Sequence, residues 1–419
     1  MKVYKFGGAS VRSAEGVKNL REIVAAEPGR LFVVVSAMGK TTNALEAVVE
    51  RFTSGERAEA LEALWECREY HREVCRGLFR MGMTPRVVEV LFKQLRTLIE
   101  ETDHAAKSYD FWYDHIVGHG ELMSTAIVSE YLATAGVENL WLDIRKCFVT
   151  DGRHRDATVD LEASERLLLN ATAGQKLVVS QGFIGASAEG ETTTLGREGS
   201  DYSAAVAANI LDAESLTIWK DVEGVLTADP KIFPDAVFIP ELTYLDAVEL
   251  SYSGAQIIHP KTIKPLHNKN IPLYVRPFGA VEKPGSVIRA EVERGIEHPV
   301  LILKQRQVLV SIRPEDFSFV LEKRFGEIFS LLEANDIKIN LIQSSAVSLT
   351  VCVDASRYLD DALDGLREKG FRVVHNADMQ LLTIRGYTPE LAEKYASGGN
   401  VYLTQKTRRT LRVVRREER

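Results

Sequence analysis

Five short stretches carry residue types able to handle an anion and a small polar acceptor. Lys5–Gly8, KFGG, closes an apolar run with two glycines. Backbone N–H groups at such a turn can approach an anion, and Lys5 adds a point charge. The GxxxxGK(S/T) spacing of a Walker A loop is missing. Residues 36–43, SAMGKTTN, follow a second apolar run. Thr41 and Thr42 therefore fall outside the carboxyl end of a strand, where open α/β sheets bind ligands. Helix capping accounts for Thr41 equally well. Glu121 in GHGELMS, residues 118–124, stands where an amphipathic helix begins, a place a carboxylate also takes to favour the helix dipole. Residues 193–205, TTLGREGSDYSAA, combine Gly196, Gly199, Ser200 and Arg197 ahead of a helical run, which suits an anion, yet Glu198 stands among them. Residues 218–231, IWKDVEGVLTADPK, run from strand into acidic and turn residues. That suits a nucleotide-contacting edge, and a plain surface turn explains Asp229-Pro230 as well.

No serine–histidine or cysteine–histidine constellation is evident in the spacing. Its absence fits a carboxylate acceptor, which has a pKa near ~4, is ionised at neutral pH and needs no general base. Phosphoryl transfer to such a group needs alignment and charge neutralisation, which Lys, Arg, Mg²⁺ and backbone amides supply.

The elements that must position these residues follow from periodicity. VYKF, LFVVVSA, LWLDI, KLVVSQGFIG, SLTIW and IPLYV lack period-2 alternation, as expected of strands buried on both faces of a parallel sheet. Helix-like AEGVKNLREIVAAE and DYSAAVAANILDA lie between them, so the chain reads as an α/β sandwich. Residues 44–115 are helical in spacing and form an insertion. Its His71, His104 and His115 read as solvated helix residues rather than ligands. Beyond VEKPGSVIRAEVERGIEHP the pattern becomes β-α-β-β-α-β with a shorter echo, QLLTIRGY, PELAEKYASGG, NVYLTQ and TLRVVRR. This is an internal ferredoxin-like repeat, with a domain boundary near residue 296.

Composition sets outer limits. At 419 residues, 45% hydrophobic and 26% charged, the chain is an ordinary globular protein of two or three domains. A net charge of −7 argues against nucleic acid as partner, and the basic tail RRTLRVVRREER reads as a solvated terminal strand. No signal peptide or membrane span is expected. Cys67, Cys75, Cys147 and Cys352 form no CxxC pair and have no metal-ligand spacing with histidine, which reads as buried thiols in a reducing cytoplasm.

Taken in order, KFGGAS, VVVSAMGKTTN, GHGELMST, QGFIG, TTLGREGSDYSAA, IWKDVEGVLTADP, ELSYSGAQIIHPKT and IPLYVRPF resemble the aspartate kinase family of the amino-acid kinase fold. The C-terminal repeat resembles the paired ACT domains of those enzymes. The resemblance implies a three-layer α/β sandwich with a mainly parallel sheet over residues 1–295 and a ferredoxin-like α+β ACT pair over 296–419. It implies Mg-ATP-dependent phosphorylation of L-aspartate to 4-phospho-L-aspartate, the first step toward lysine, threonine and methionine. By position, Lys5 would stabilise the transferring phosphoryl group, with Gly7 and Gly8 shaping its cradle. Asp201 would orient Lys5, and Ser200 would support the loop. Thr42, Glu121 and Arg197 would hold aspartate, Glu121 on the ammonium and Arg197 on a carboxylate. Lys220, Asp221 and Lys231 would touch ATP. No metal ligand is assigned to the protein. The ACT pair implies feedback by lysine or threonine, with Asn335, Asp336, Ser344 and Ser345 as effector contacts, and a homodimer or higher homo-oligomer. Asn335-Asp336 also reads as a simple turn.

The chain departs from the family pattern in four places. Glu198 replaces a glycine, Lys220 precedes Asp221 where a threonine is usual, Leu226 replaces a tyrosine, and Gln256 replaces a lysine. An unpaired Glu198 about 4 Å from a phosphate charge would cost about 4 kcal/mol at an effective dielectric of about 20. A Glu198–Lys220 pair is the expected remedy. Two other readings compete: a related acyl-phosphate-forming kinase acting on glutamate or N-acetylglutamate, and an amino-acid sensor with weak catalysis.

Overall fold

The apolar runs form an eight-stranded sheet in the computed structural model, which describes residues 1–255, 258–315, 322–397 and 400–416. Its strands are β1 (Lys2–Phe6), β2 (Leu31–Val35), β3 (Leu140–Leu142), β4 (Leu177–Gln181), β5 (Ser215–Lys220), β6 (Glu241–Thr243), β7 (Leu273–Pro277) and β8 (Ser286–Arg289). They lie in the order β6–β8–β7–β5–β1–β2–β4–β3. Every neighbouring pair is parallel except β7 with β8. All residues of β2 and β4 are buried, which is why these runs show no alternation.

Two helices pack on the central strands. α6 (His119–Thr134) covers β2, β3 and β4, and α8 (Gly199–Ile210) covers β1, β2 and β5. Both are buried nearly all round, so their sequences carry no clear amphipathic period. The alanines of α8, at 204, 205, 207 and 208, let it sit close to the sheet. α1 (Ala14–Ala25) is capped by Ser13, whose hydroxyl accepts from the Gly16 N–H, and α7 (Leu161–Thr172) by Asp160. The helical insertion consists of α2 (Thr41–Thr53), α3 (Arg57–Leu78), α4 (Arg86–Glu101) and α5 (Tyr109–Val117), slightly wider than the expected 44–115. α9 (Tyr244–Ser253) and α10 (Pro260–Asn268) follow.

His71 corrects a sequence expectation. It is fully buried, not solvated. Its Nδ1–H donates to the Cys67 carbonyl at 2.8 Å, its Nε2 lies 3.4 Å from the Thr41 hydroxyl, and burial pulls its pKa down to about 4. A neutral imidazole locks α3 to the start of α2. All four cysteines are buried free thiols.

The C-terminal repeat builds one antiparallel six-stranded sheet. Its strands are β9 (Val300–Pro314), β10 (Ile339–Ser344), β11 (Leu349–Asp354), β12 (Phe371–Arg385), β13 (Val401–Lys406) and β14 (Thr410–Arg416), in the order β10–β11–β9–β12–β14–β13. FRVVHNA and QLLTIRGY, read as two strands, form the single 15-residue β12. Asp378 within it takes a left-handed φ of 56°, and Arg306 in β9 takes one of 54°. The β9–β12 register shifts between Lys304 and Leu309, so the ladder bulges there and continues without breaking.

Two lobes therefore share two long strands. One lobe packs α11 (Glu322–Ala334) and α12 (Leu359–Glu368) through Ile328, Leu332, Leu363 and Leu366 onto Val310 and Val351. The other uses α13 (Pro389–Ala396), with Leu391 and Tyr395 against Leu382, Ile384, Leu411 and Val413. Its fourth strand is the VLILK segment, where Val300–Lys304 pairs with Leu381–Arg385 ahead of the first lobe. The tail is half core strand, because Leu411, Val413 and Val414 are buried.

The chain divides into two compact units. The first comprises Met1–Val225, Phe238–Val248 and Ile257–Gly295; the second comprises Leu226–Val237, Glu249–Gln256 and Ile296–Arg419. Among the described residues, no helix is long and apolar enough to cross a membrane.

Candidate active site

Register places the chemistry. Phe6 stands beside Val35 and Trp219, and Val35 beside Gln181, so four parallel strands end together and their loops leave from one edge. A cleft of about 350 Å³ opens there. Lys5, Gly7, Gly8, Thr42, Glu121, Ser200, Asp201, Lys220 and Asp221 all line it, so nine of the residues singled out in sequence come together in space.

One end of the cleft is a buried charge cluster. Lys5 Nζ lies 2.6 Å from Asp201 Oδ1, and Lys220 Nζ lies 3.7 Å from Asp201 Oδ2. Burial alone would raise the Asp201 pKa, but the two ammonium groups outweigh it and hold the carboxyl below its ordinary range. Lys5 is fixed by β1 and Asp201 by the first turn of α8. Gly8 is required by close approach. A Cβ there would stand 2.5 Å from the Ala37 carbonyl oxygen, and the Gly8 carbonyl accepts from the Gly39 N–H at 2.9 Å. Ser200 packs on Gly182, where a Cβ would meet the Ser200 Cβ at 2.5 Å.

Glu121, only 2% exposed, lines the same cleft. Its Oε1 accepts from the Ala37 N–H at 3.2 Å, and its Oε2 is buried with no hydrogen-bond partner among the described residues. Burial is the largest influence on this carboxyl and raises its pKa to about 8. Such a group is ready for a cation brought by a ligand. Neighbouring threonines divide their work: Thr42 faces the cleft, whereas Thr41 is buried against His71.

Glu198 does not behave as expected. It ends the loop before α8 in a left-handed conformation, φ 53° and ψ 28°. Its carbonyl accepts from the N–H groups of Asp201 and Tyr202. Lys220 turns to Asp201, so the expected Glu198–Lys220 pair is not among the ion pairs of the described residues. Glu198 lines the cleft, and its Oε2 is buried without a hydrogen-bond partner among the described residues. Asp201 wins because it is the more deeply buried carboxylate and its own carboxyl is the one both lysines can neutralise.

Other expected residues lie elsewhere. Arg197 is exposed and does not contribute to the cleft lining, although Gly196 and Glu198 on either side do. Lys231 is exposed, and its N–H donates to Asp229 Oδ1 at 2.9 Å; it and Leu226 belong to a segment of the second unit. Gln256 lies outside the described residues. In the repeat, Asn335 Nδ2 donates to the Leu331 carbonyl at 2.9 Å, and Asp336 takes a φ of 52° as the chain leaves α11. Ser344 ends β10, and the Ser345 hydroxyl lies 2.7 Å from that of Ser348 across the hairpin turn.

Sequence reasoning missed Ser36, Phe183 and Trp219, which also line the cleft. Phe183 takes a φ of 68°, a conformation no residue pattern announces. Trp219 stacks on Phe6 at 6.2 Å with the rings 3° from parallel, and the Arg276 guanidinium lies 5.0 Å from its ring.

Comparison with known proteins points the same way as the geometry. Residues 1–277 match the amino acid kinase family. The chain is 32% identical over 358 residues to lysine-sensitive aspartokinase 3 of Escherichia coli, covering 84% of this chain and 78% of that protein. It is also 33% identical over 299 residues to a chloroplastic bifunctional aspartokinase/homoserine dehydrogenase 2 of Arabidopsis thaliana, of whose length it spans 32%. Its structure superposes on that of E. coli aspartokinase III in complex with aspartate and ADP, an R-state, with a TM-score of 0.85, 29% identity, and coverage of 99% of this chain and 96% of the other. The T-state of the same enzyme, with lysine and aspartate, gives a TM-score of 0.76 at 29% identity, covering 99% of this chain and 95% of the other.

Proposed function

The chain belongs to the amino acid kinase family, and we propose that it is an aspartate kinase, moving the γ-phosphoryl group of ATP to the side-chain carboxylate of L-aspartate. The observation that carries this reading is the pairing, in one cleft, of a lysine-flanked Asp201 with a buried, half-unpartnered Glu121.

The two ends fit the two substrates. Lys5 and Lys220 face triphosphate oxygens, and the glycines at 7 and 8 bare their backbone to them. Glu121 Oε2 takes the α-ammonium of aspartate, with Thr42 beside it. The side-chain carboxylate then points to the phosphates and attacks without a base, being ionised already. Lys5 follows the charge that develops on the transferring group, and Asp201 holds Lys5 in place. Among the described residues, no group of three or more His, Cys, Asp or Glu is arranged to hold a metal ion. In this reading Mg²⁺ enters with the nucleotide and, when bound, would neutralise phosphate oxygens. Arg197, from its exposed position, grips the α-carboxylate once substrate fills the cleft.

The second unit is the regulatory one in this reading, and lysine is the first effector to test, since the E. coli relative is lysine-sensitive. The direct experiment is turnover with Mg-ATP, L-aspartate and hydroxylamine, which traps an acyl phosphate as a hydroxamate. Product with aspartate, and none with glutamate or N-acetylglutamate, supports the reading. Product with glutamate alone would replace the substrate, and none at all would favour an amino-acid sensor. Lysine and threonine added in turn identify the effector.

A further inference from the structure

Glu198 is placed against its own interests. Its left-handed backbone suits glycine and strains a residue with a Cβ. The residue lines the cleft, and its Oε2 is buried with no hydrogen-bond partner among the described residues. The lysines of the cleft are both turned to Asp201. Gly199, Ser200 and Asp201, the first turn of α8, line the same wall, so phosphate oxygens arrive where this carboxylate stands. A bare carboxylate repels them, and the repulsion is strongest where water is scarce. Only a cation that arrives with the ligand resolves this arrangement.

Two such cations enter a kinase cleft of this kind, the ammonium of the amino acid and the divalent ion of the nucleotide. Glu121 already offers the ammonium a buried, unpartnered oxygen. Glu198 belongs instead to the turn that carries Asp201, the partner of Lys5 and Lys220. We propose that Glu198 gives an oxygen to the divalent cation carried by the nucleotide, so that the ion is shared between phosphate oxygens and this one side chain. The proposal rests on the kinase reading above. It makes Glu198 a coupling device: nucleotide without metal is rejected, and nucleotide with metal is retained.

The test uses the full chain and the variants Glu198→Gln and Glu198→Gly. The glycine variant relieves the backbone strain and is expected to fold at least as well as the parent. Mn²⁺ is titrated by the electron-paramagnetic signal of the free ion in the presence of a non-hydrolysable ATP analogue. Both variants are expected to hold Mn²⁺ about 10- to 100-fold more weakly in that complex. In EDTA, calorimetry is expected to show the analogue binding about tenfold more tightly to the variants, because repulsion is gone. Unchanged Mn²⁺ retention with unchanged metal-free binding overturns the proposal. Unchanged Mn²⁺ retention with a raised KM for aspartate also overturns it and assigns Glu198 to the substrate ammonium. If the parent protein binds the analogue and phosphorylates aspartate while the variants keep Mn²⁺, this inference alone fails. If the parent binds no nucleotide, the kinase reading falls with it.

Discussion

Asp201 and Glu121 are carboxylates of nearly equal burial, 3% and 2% exposed, lining one cleft, yet their acidities move in opposite directions. For both, burial is the largest influence and pushes the pKa up. Asp201 escapes because two ammonium groups lie against it, 2.6 and 3.7 Å away. Glu121 has backbone N–H groups, that of Ala37 at 3.2 Å, and the charge of Lys5, which together do not offset burial, so its pKa settles at about 8. The difference separates a finished electrostatic unit from an unfinished one. Asp201 is completed by the protein and, in the proposed reading, aims the lysines. Glu121 keeps an oxygen without a partner among the described residues and, in the proposed reading, takes the positive charge of the ligand.

The strongest way to break this contrast is to unfinish the finished end. Lys5→Met is expected to lower turnover by about 10²- to 10³-fold, the usual loss for one preorganised donor at a transferring group. It should also destabilise the fold by about 3 kcal/mol by leaving a buried charge undercompensated. Hydroxamate turnover and thermal melting check the two parts separately. Activity within tenfold of the parent would reduce the Lys5–Asp201 pair to a structural role.

Neutralising the unfinished end should act on binding instead. Glu121→Gln keeps the shape and removes the charge, and it is expected to raise the aspartate KM by about 100-fold with a smaller change in kcat. An equal fall in kcat and kcat/KM, with KM unchanged, would show that Glu121 acts in the transition state and not on the ammonium.

Acidity itself sharpens the comparison. Glu121 must ionise to hold an ammonium, so aspartate binding below pH 8 should release a proton, and affinity should fall by up to about tenfold per pH unit from 8 toward 6. Calorimetry in buffers of different ionisation enthalpy measures that proton, and Glu121→Gln should abolish it. The raised pKa also sets the direction of stability. Between pH 4.5 and about 8 the folded, ligand-free protein keeps a proton that the unfolded chain has lost. This contribution to stability is full below pH 4.5 and disappears as pH rises through 8. The melting temperature of Glu121→Gln should therefore gain on the parent with rising pH.

The smallest effects come from adjacent threonines. Thr42→Ala should raise the aspartate KM about three- to tenfold, the value of one ordinary hydrogen bond. Thr41→Val should leave KM within about twofold and cost about 1 kcal/mol of stability through the lost His71 contact. A reversed order would mean that the helix start is turned by one residue when substrate binds.

Much of this site is legible in residue types and spacing alone. Lys5, Gly7, Gly8, Thr42, Glu121, Ser200, Asp201, Lys220 and Asp221 stand in short patterns whose chemistry already fits charge handling, and the apolar runs before them predict strand ends. Phe183 and Trp219 are not legible in this way, because an aromatic next to a strand reads first as core. Glu198 is legible as an anomaly but not in its partner. Choosing between Glu198 and Asp201 for Lys220 depends on distances of a few ångströms set by the α8 turn.

By itself, the sequence determined the alternation of strands and helices, the turn glycines and the order of the functional stretches, since these depend on local propensity and periodicity. It also announced the C-terminal repeat. Only the tertiary structure decided that FRVVHNA and QLLTIRGY are one strand, that VLILK completes the other lobe, and that His71 is core. The same holds for two buried carboxylates taking opposite acidities. Each of these depends on which groups from distant parts of the chain come within hydrogen-bond or ion-pair range. That range is short, and the pairing of distant strands and helices, not local pattern, sets who falls within it.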